Sequence, residues 1–406
     1  MSQGAPVGFA TGAVRAPGFG LLITALGVAQ IFAWGSSYYL MAVVAQPIAD
    51  DTGWPLAWVV GGLSLGLLVA GLISPRVGRL IQHRGGRPVL AASAVLLAAG
   101  LGVLALAQTL PVYLAAWVVI GVGMGAGLYD PAFATLGRIF GRGARAPITA
   151  LTLAGGLAST VSWPATQFLL ETVGWRGAYL VFAALLALLA APLHAFALPR
   201  QRVGSDGSEK ADNRSAASHV KPAPVLPARG IAFVLVAAAF SSYAFVPSAL
   251  SAQLLAIFQR LGLAPVTVVA IGMVFGPAQV LARICELAFA RHTHPLWVAR
   301  FATGVLVVAF ALLALLPFSV LLAAVFAAMY GMANGLMTIA RGTVPLSLFG
   351  AAGYGKLMGR IGGPFLIVQA VAPVCLSYVA ERSSDAAGLA LVAAFAAASL
   401  LCFALI

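Results

Sequence analysis

Gly78-Arg79-Leu80-Ile81-Gln82-His83-Arg84-Gly85-Gly86-Arg87 is a short basic segment set between two apolar runs, 56–78 and 88–108. An α-helix rises 1.5 Å per residue, so a hydrocarbon core of about 30 Å takes about 20 apolar residues, and each run is long enough to cross. The segment is then a tight connection at one face of a bilayer. Working outward, further runs of spanning length fall near 19–44, 112–137, 147–170, 177–198, 230–256, 265–289, 296–316, 318–340, 361–380 and 387–406, which makes twelve in all.

Composition excludes the soluble alternative. Of 406 residues 62% are hydrophobic and 8% charged, against a charged share of about 25% in soluble domains. Mean hydropathy is +1.02. The formal charge of +13 comes from 20 Arg and 3 Lys scattered between apolar runs. Sorted by side, eighteen of these 23 cations fall on the face that carries Arg79, Arg84 and Arg87; Arg176, Arg260 and Arg382 fall on the other, and Arg283 and Arg341 sit at helix ends. The charge is therefore an orientation signal that places both termini in the cytoplasm, and it does not point to nucleic acid. The apolar run that follows Arg15 is longer than a signal-peptide core and reads as a retained first span. Arginine over lysine suggests a bacterial inner membrane. Cys285, Cys375 and Cys402 are odd in number, lack metal or disulfide spacing, and read as buried inert thiols.

The hydrophilic stretch 199–229 is rich in Ser, Pro and mixed charge and cannot bury a core, so it reads as a cytoplasmic linker. It divides the chain into 1–198 and 230–406. The expected fold is all-α and integral to the membrane, with twelve transmembrane helices in two pseudo-symmetric six-helix bundles. Internal matches support the duplication. Ser36-Ser37-Tyr38 recurs as Ser241-Ser242-Tyr243 at an offset of 205, Gly78-Arg79 is answered by Ala282-Arg283 at 204, and Phe140-Gly141 by Phe349-Gly350 at 209. Duplicated bundles of this kind place a substrate site at the repeat interface.

With Gly78, Leu80, Gly85 and Arg87 in register, the opening segment resembles the signature loop G-x-L-A-D-x-x-G-R-R of the major facilitator superfamily, and helix count, linker and repeat extend the likeness over the whole chain. Gly121-Val122-Gly123-Met124-Gly125-Ala126-Gly127-Leu128-Tyr129-Asp130-Pro131 and Gly174-Trp175-Arg176-Gly177-Ala178-Tyr179 are similar to monocarboxylate and oxalate porters. The stretches 151–160, 275–280 and 339–346 also resemble a bacterial branch that includes arsenite and antimonite exporters. Gln82 stands where the signature has its acid, which puts the usual ion pair there in doubt. Trp117 lies near the position where proton-driven drug exporters carry an arginine, which speaks against a standard drug antiporter. The resemblance implies a secondary transporter working by alternating access on a small solute, with a drug or arsenical efflux carrier as the alternative.

Charge inside a bilayer is costly, so intramembrane ionisable groups are functional candidates. Asp130, about eight residues inside Arg138, is the candidate for proton coupling, with Pro131 loosening the helix around it; the structural alternative is a fixed ion pair or a cap on a helix that ends early. Arg341 is its counterpart in the repeat and can bind an oxyanion bidentately, or else snorkel to the interface. This makes an anionic substrate the favoured one. Gln30, Trp34, Ser37 and Met41 form one stripe on the first helix. Gln30, Trp34, Ser37, Tyr38, Ser241, Ser242, Tyr243, Asn334 and Arg341 are the substrate-cavity candidates, with interhelical hydrogen bonding as the alternative role for each. Gly78, Arg79, Gln82, Arg84, Gly85, Arg87, Arg283 and Glu286 are the candidates for cytoplasmic gating; Arg283 and Glu286, three apart, share a helix face.

No catalytic residues, metal site or cofactor are expected. His83, His194, His219, His292 and His294 form no HExxH or Ser/His/Asp arrangement, which excludes the common hydrolase layouts. The glycine-rich stretches do not end in Gly-Lys-Ser/Thr, which argues against nucleotide hydrolysis. The expected partners are the small solute, the lipid bilayer and protons, and the protein is expected to act as a monomer.

Overall fold

The computed structural model describes residues 19–200, 226–227, 230–290 and 293–406. Most of the linker lies outside the described residues. Among those described there is no strand, and ten helices are long and apolar enough to cross a membrane. One of the ten is an 88-residue run, Leu110–Ala197, about 130 Å of helix at 1.5 Å per residue and several times what one crossing needs. It is interrupted by a 3-10 turn at Gly141–Ala144 and by Gly174, whose φ of 71° is open to glycine at little cost. These two breaks divide it into three crossings, which makes twelve among the described residues.

Local chemistry sets the helix ends. Ser319 and Ser384 accept from Leu322 N at 3.2 Å and Ala387 N at 3.1 Å, satisfying amides that have no partner within the helix. Pro265 and Pro295 start helices at the position where a missing N–H costs nothing. Several helices run past the apolar cores seen in the sequence: the tenth is Val320–Phe349, which puts Arg341 well inside it, and the eleventh is Tyr354–Arg382. The outer surface carries exposed large apolar side chains such as Leu188, Phe196, Val266 and Phe289, as lipid contact requires. The cysteines correct the expectation of burial: Cys285 and Cys375 are exposed and Cys402 partly so. An apolar stretch fits a lipid-facing surface as well as a core.

The alternation of helices brings Arg84, Arg138, Arg145 and Arg300 to one face, called here the basic face. Between the two halves, the second helix, Leu56–Arg84, and the segment Tyr129–Phe140 pack along the eleventh, and the segment Arg145–Gly155 packs against the tenth and the eighth. Met41–Thr52 packs within the first half, while Ile231–Arg260 packs within the second. Contact between halves is concentrated from mid-membrane to the basic face. There the backbones of the second and eleventh helices touch: a Cβ on Gly71 would lie 2.9 Å from Gly363 O, and one on Gly359 would lie 2.5 Å from Ser74 O and 2.9 Å from Gly78 Cα.

Candidate functional site

A cavity of about 160 Å³ lies between the halves, lined by the first, fourth, fifth, seventh, eighth, tenth and eleventh spans. Two local departures from helix geometry shape it. The fourth span stops at Gly127, Leu128 is extended, and the helix restarts at Tyr129–Phe140. The carbonyl freed at Gly127 would be unpaired in the membrane, and Gln30 Nε2 donates to it at 2.6 Å. The first span winds as a π-helix over Gly35–Tyr39. A π-turn shifts the register of everything after it, so the i, i+4 stripe drawn from Gln30 to Met41 does not hold across it.

The sequence candidates fall into two groups. Trp34, Tyr38, Tyr243, Asn334 and Arg341 line the cavity. Gln30, Ser37, Ser241 and Ser242 are not among its lining residues. Gln30 is committed to Gly127 O and to Trp34 Nε1, 3.1 Å from its Oε1. The Ser37 hydroxyl donates to Ala33 O at 2.5 Å within its own helix. Tyr243 OH donates to Asn334 Oδ1 at 2.7 Å, fixing two cavity residues against each other.

Four buried charges organise the site. Asp130 and Arg341, 211 positions apart in the two halves, form an ion pair. Asp130 occupies the first turn of the restarted helix, where the amide dipoles favour an anion. Pro131 sits in that same first turn, so it helps start a helix and does not loosen one. The Arg341 guanidinium also lies 3.3 Å from the centre of the Phe365 ring. One oxygen of Asp130 and the Nε of Arg341 have no hydrogen-bond partner among the described residues.

Arg283, grouped in the sequence with Glu286, parts from it. Its guanidinium enters the cavity and donates to Thr152 O at 2.9 Å, Gly335 O at 3.4 Å and Thr338 Oγ1 at 3.4 Å. Glu286 instead accepts from Arg145 at 2.8 Å, and Arg145 donates further to Ala290 O and Thr293 O. That cluster ties the fifth span to the end of the eighth at the basic face. His294 beside it caps the ninth helix, its Nδ1 accepting from Leu296 N at 3.3 Å; partial burial, then the charges of Arg145 and Arg300, hold its imidazole below the ordinary value.

Of the remaining gating candidates, Gly78 is in the backbone seam, and Gln82 Oε1 accepts from Gly355 N at 3.3 Å while its carbonyl accepts from Arg138. Gly85 ends the second helix at φ 83°. Arg79 and Arg84 are exposed and Arg87 is half-buried. The neutral amide at Gln82 thus joins the second helix to the start of the eleventh by a hydrogen bond. Sequence reasoning missed Tyr39, Tyr129, Phe275, Tyr330 and Phe365 as lining residues, and Arg145 as the partner of Glu286. Apolar aromatic rings in apolar helices carry no signal of their own. Among the described residues no three His, Cys, Asp or Glu side chains come together as metal ligands would.

Comparison with known proteins agrees with this architecture. A family model described as Major Facilitator Superfamily matches residues 25–373. Monocarboxylate transporter 11 of Mus musculus is 39% identical over 138 residues, 34% of this chain and 29% of that protein. Monocarboxylate transporter 3 of Rattus norvegicus is 35% identical over 141 residues, 34% of this chain and 26% of that protein. The chain thus aligns with less than a third of the length of these relatives. Among solved structures, the human organic anion transporter MFSD10 (TETRAN) superposes with a TM-score of 0.74 at 16% identity, covering 96% of this chain and 100% of that one. The E. coli fucose:proton symporter FucP superposes at 0.70 with 13% identity, covering 96% and 99%. At these identities the likeness is one of fold.

Proposed function

The chain belongs to the Major Facilitator Superfamily, and from that premise we propose that it carries a small anion across the membrane by alternating access, coupled to protons. The observation that carries the reading is Arg283. It is a buried guanidinium in the central cavity whose partners are two carbonyls and a hydroxyl, and the residues lining that cavity include two arginines and no carboxylate. A guanidinium in such a place lacks the counter-charge that normally offsets its burial, and an incoming carboxylate or oxyanion supplies it bidentately.

Asp130 provides the coupling in this proposal. While ionised it holds Arg341 and with it the contact between halves. Once protonated it releases that guanidinium, which already lines the cavity, to face the substrate. Proton and anion then favour the same state of the protein, and linkage makes them travel together. The halves 1–198 and 230–406, joined by the linker 199–229, are the two bodies that rock about the site, and the carrier acts as a monomer. The charge asymmetry supports cytoplasmic termini, and the arginine bias supports a bacterial inner membrane.

The test is transport by the purified protein in liposomes under an imposed proton gradient of either polarity. Saturable, gradient-driven accumulation of an organic anion is expected, with Arg283→Gln weakening apparent affinity by tenfold or more. Hydrogen bonds to a charged group contribute about 1.5–3 kcal/mol. No flux with organic anions or metalloid oxyanions at either polarity would overturn anion transport. A metalloid oxyanion moving only outward would favour the efflux alternative.

A further inference from the structure

We infer that the solute is an arylcarboxylate, with a single aromatic ring held between the two halves and its acid group at Arg283; this rests on the anion reading above. Aromatic residues are 9% of the chain but nine of the twenty that line the cavity. That enrichment is far beyond what burial of apolar helices needs, since most of the core is Ala, Leu and Val.

The rings form two facing walls. Trp34, Tyr38, Tyr39 and Tyr129 come from the first half, and Phe240, Tyr243, Phe275, Tyr330 and Phe365 from the second. Each wall is ordered before a ligand arrives. Trp34 lies 5.1 Å from Tyr129 and 5.6 Å from Tyr38, while Phe275 stacks on Tyr330 at 4.8 Å. Preformed walls bind a flat ring with little side-chain ordering cost. The distance between them changes when the halves rock, so a ring clasped by both biases that motion.

Size sets the ring count. An apolar cavity of about 150 Å³ binds one benzene, and this one is about 160 Å³. One ring with a small acid group fits a volume of that order.

The acid's place is set by two consecutive glycines. A Cβ on Gly155 would strike the Tyr129 ring, and one on Gly156 would strike the Arg283 guanidinium. The first-half wall and the buried cation therefore approach neighbouring points of the fifth span, and a carboxylate on a ring held by Tyr129 comes next to Arg283.

The test is calorimetric binding to the full-length protein in nanodiscs, using benzoate, cyclohexanecarboxylate, 2-naphthoate, acetate and benzyl alcohol. Ring–ring contacts favour an aromatic ligand over a saturated one of like size. Benzoate is expected to bind about tenfold more tightly than cyclohexanecarboxylate and acetate, and more tightly than 2-naphthoate. Phe275→Leu is expected to bring benzoate down to the level of cyclohexanecarboxylate. Equal binding of benzoate and cyclohexanecarboxylate would overturn the inference and leave the anion reading standing. Benzyl alcohol binding as tightly as benzoate would overturn the anion reading while leaving a ring site. Binding of neither aryl acid would overturn the inference outright.

Discussion

Asp130 and Arg341, 211 residues apart in the two halves of the chain, form an ion pair across the interface between those halves. The pair sets opposite charges against each other, one from each half, so that it favours the closed contact between them.

Removing one partner of a buried pair costs about 3–5 kcal/mol, because the other charge is stranded, and every 1.4 kcal/mol or so is tenfold in an equilibrium constant. Asp130→Asn is expected to shift the basic face toward open by about two to three powers of ten. Spin labels on Arg142→Cys and Lys356→Cys, in a background lacking the three native cysteines, read the separation directly. The double variant Asp130→Asn, Arg341→Gln is expected to recover much of the closed population. An unchanged distance distribution in Asp130→Asn would show that the pair does not hold this face shut.

Gly359→Ala places a methyl group 2.5 Å from Ser74 O and 2.9 Å from Gly78 Cα, and both neighbours are backbone that cannot rotate away. The second and eleventh helices must separate. The same pair of labels is expected to report a longer distance, and gradient-driven flux is expected to fall several-fold without loss of folded protein.

Arg145 and Glu286 differ in exposure, 24% against 2% for their side chains. Arg145→Ala leaves a buried carboxylate unpaired, whereas Glu286→Gln leaves a partly exposed guanidinium that water can reach. Arg145→Ala is therefore expected to lower the melting temperature more than Glu286→Gln, the latter changing stability by about 1 kcal/mol or less. Equal losses would argue against Glu286 being the dependent partner.

His294 gives a pH dependence of definite sign. Its folded imidazole is held below its ordinary value of 6.5, so folding favours the neutral ring. The contribution is complete above that value and is lost as pH falls through the lower, folded value, where protonation also removes the acceptor that caps the ninth helix. A cap of this kind contributes about 1 kcal/mol. His294→Asn, which keeps an acceptor that does not titrate, is expected to flatten the acid side of the stability profile measured in detergent.

The fold was largely legible because a bilayer imposes a length rule that apolar runs must obey, and arginine placement then orients them. Asp130 and Arg341 were legible for the same reason, since an ionised group in such a run needs a cause. Arg283 was visible as a charge but not as a cavity residue. Its spacing from Glu286 puts both on one helix face, and only the course of each side chain sends one inward and the other to Arg145. Ser37 falls inside the π-turn, a one-residue change in winding that hydrophobic periodicity does not announce, and Gln30, upstream of it, is taken up by the carbonyl left free at Gly127. The aromatic walls were hidden by kind: Phe275 or Tyr330 looks the same facing lipid, a neighbour or a solute.

The glycine contact between the second and eleventh helices has a mechanical consequence. Main chain meets main chain over much of that seam, with Pro75, Gln82 and Ile367 the side chains that reach into it, so little has to be unthreaded when the helices part. Attraction of that kind loses about a quarter to a half of its strength over a gap of roughly 0.5–1 Å. Under the alternating-access proposal, this contact serves as a latch with two positions in place of a hinge with many.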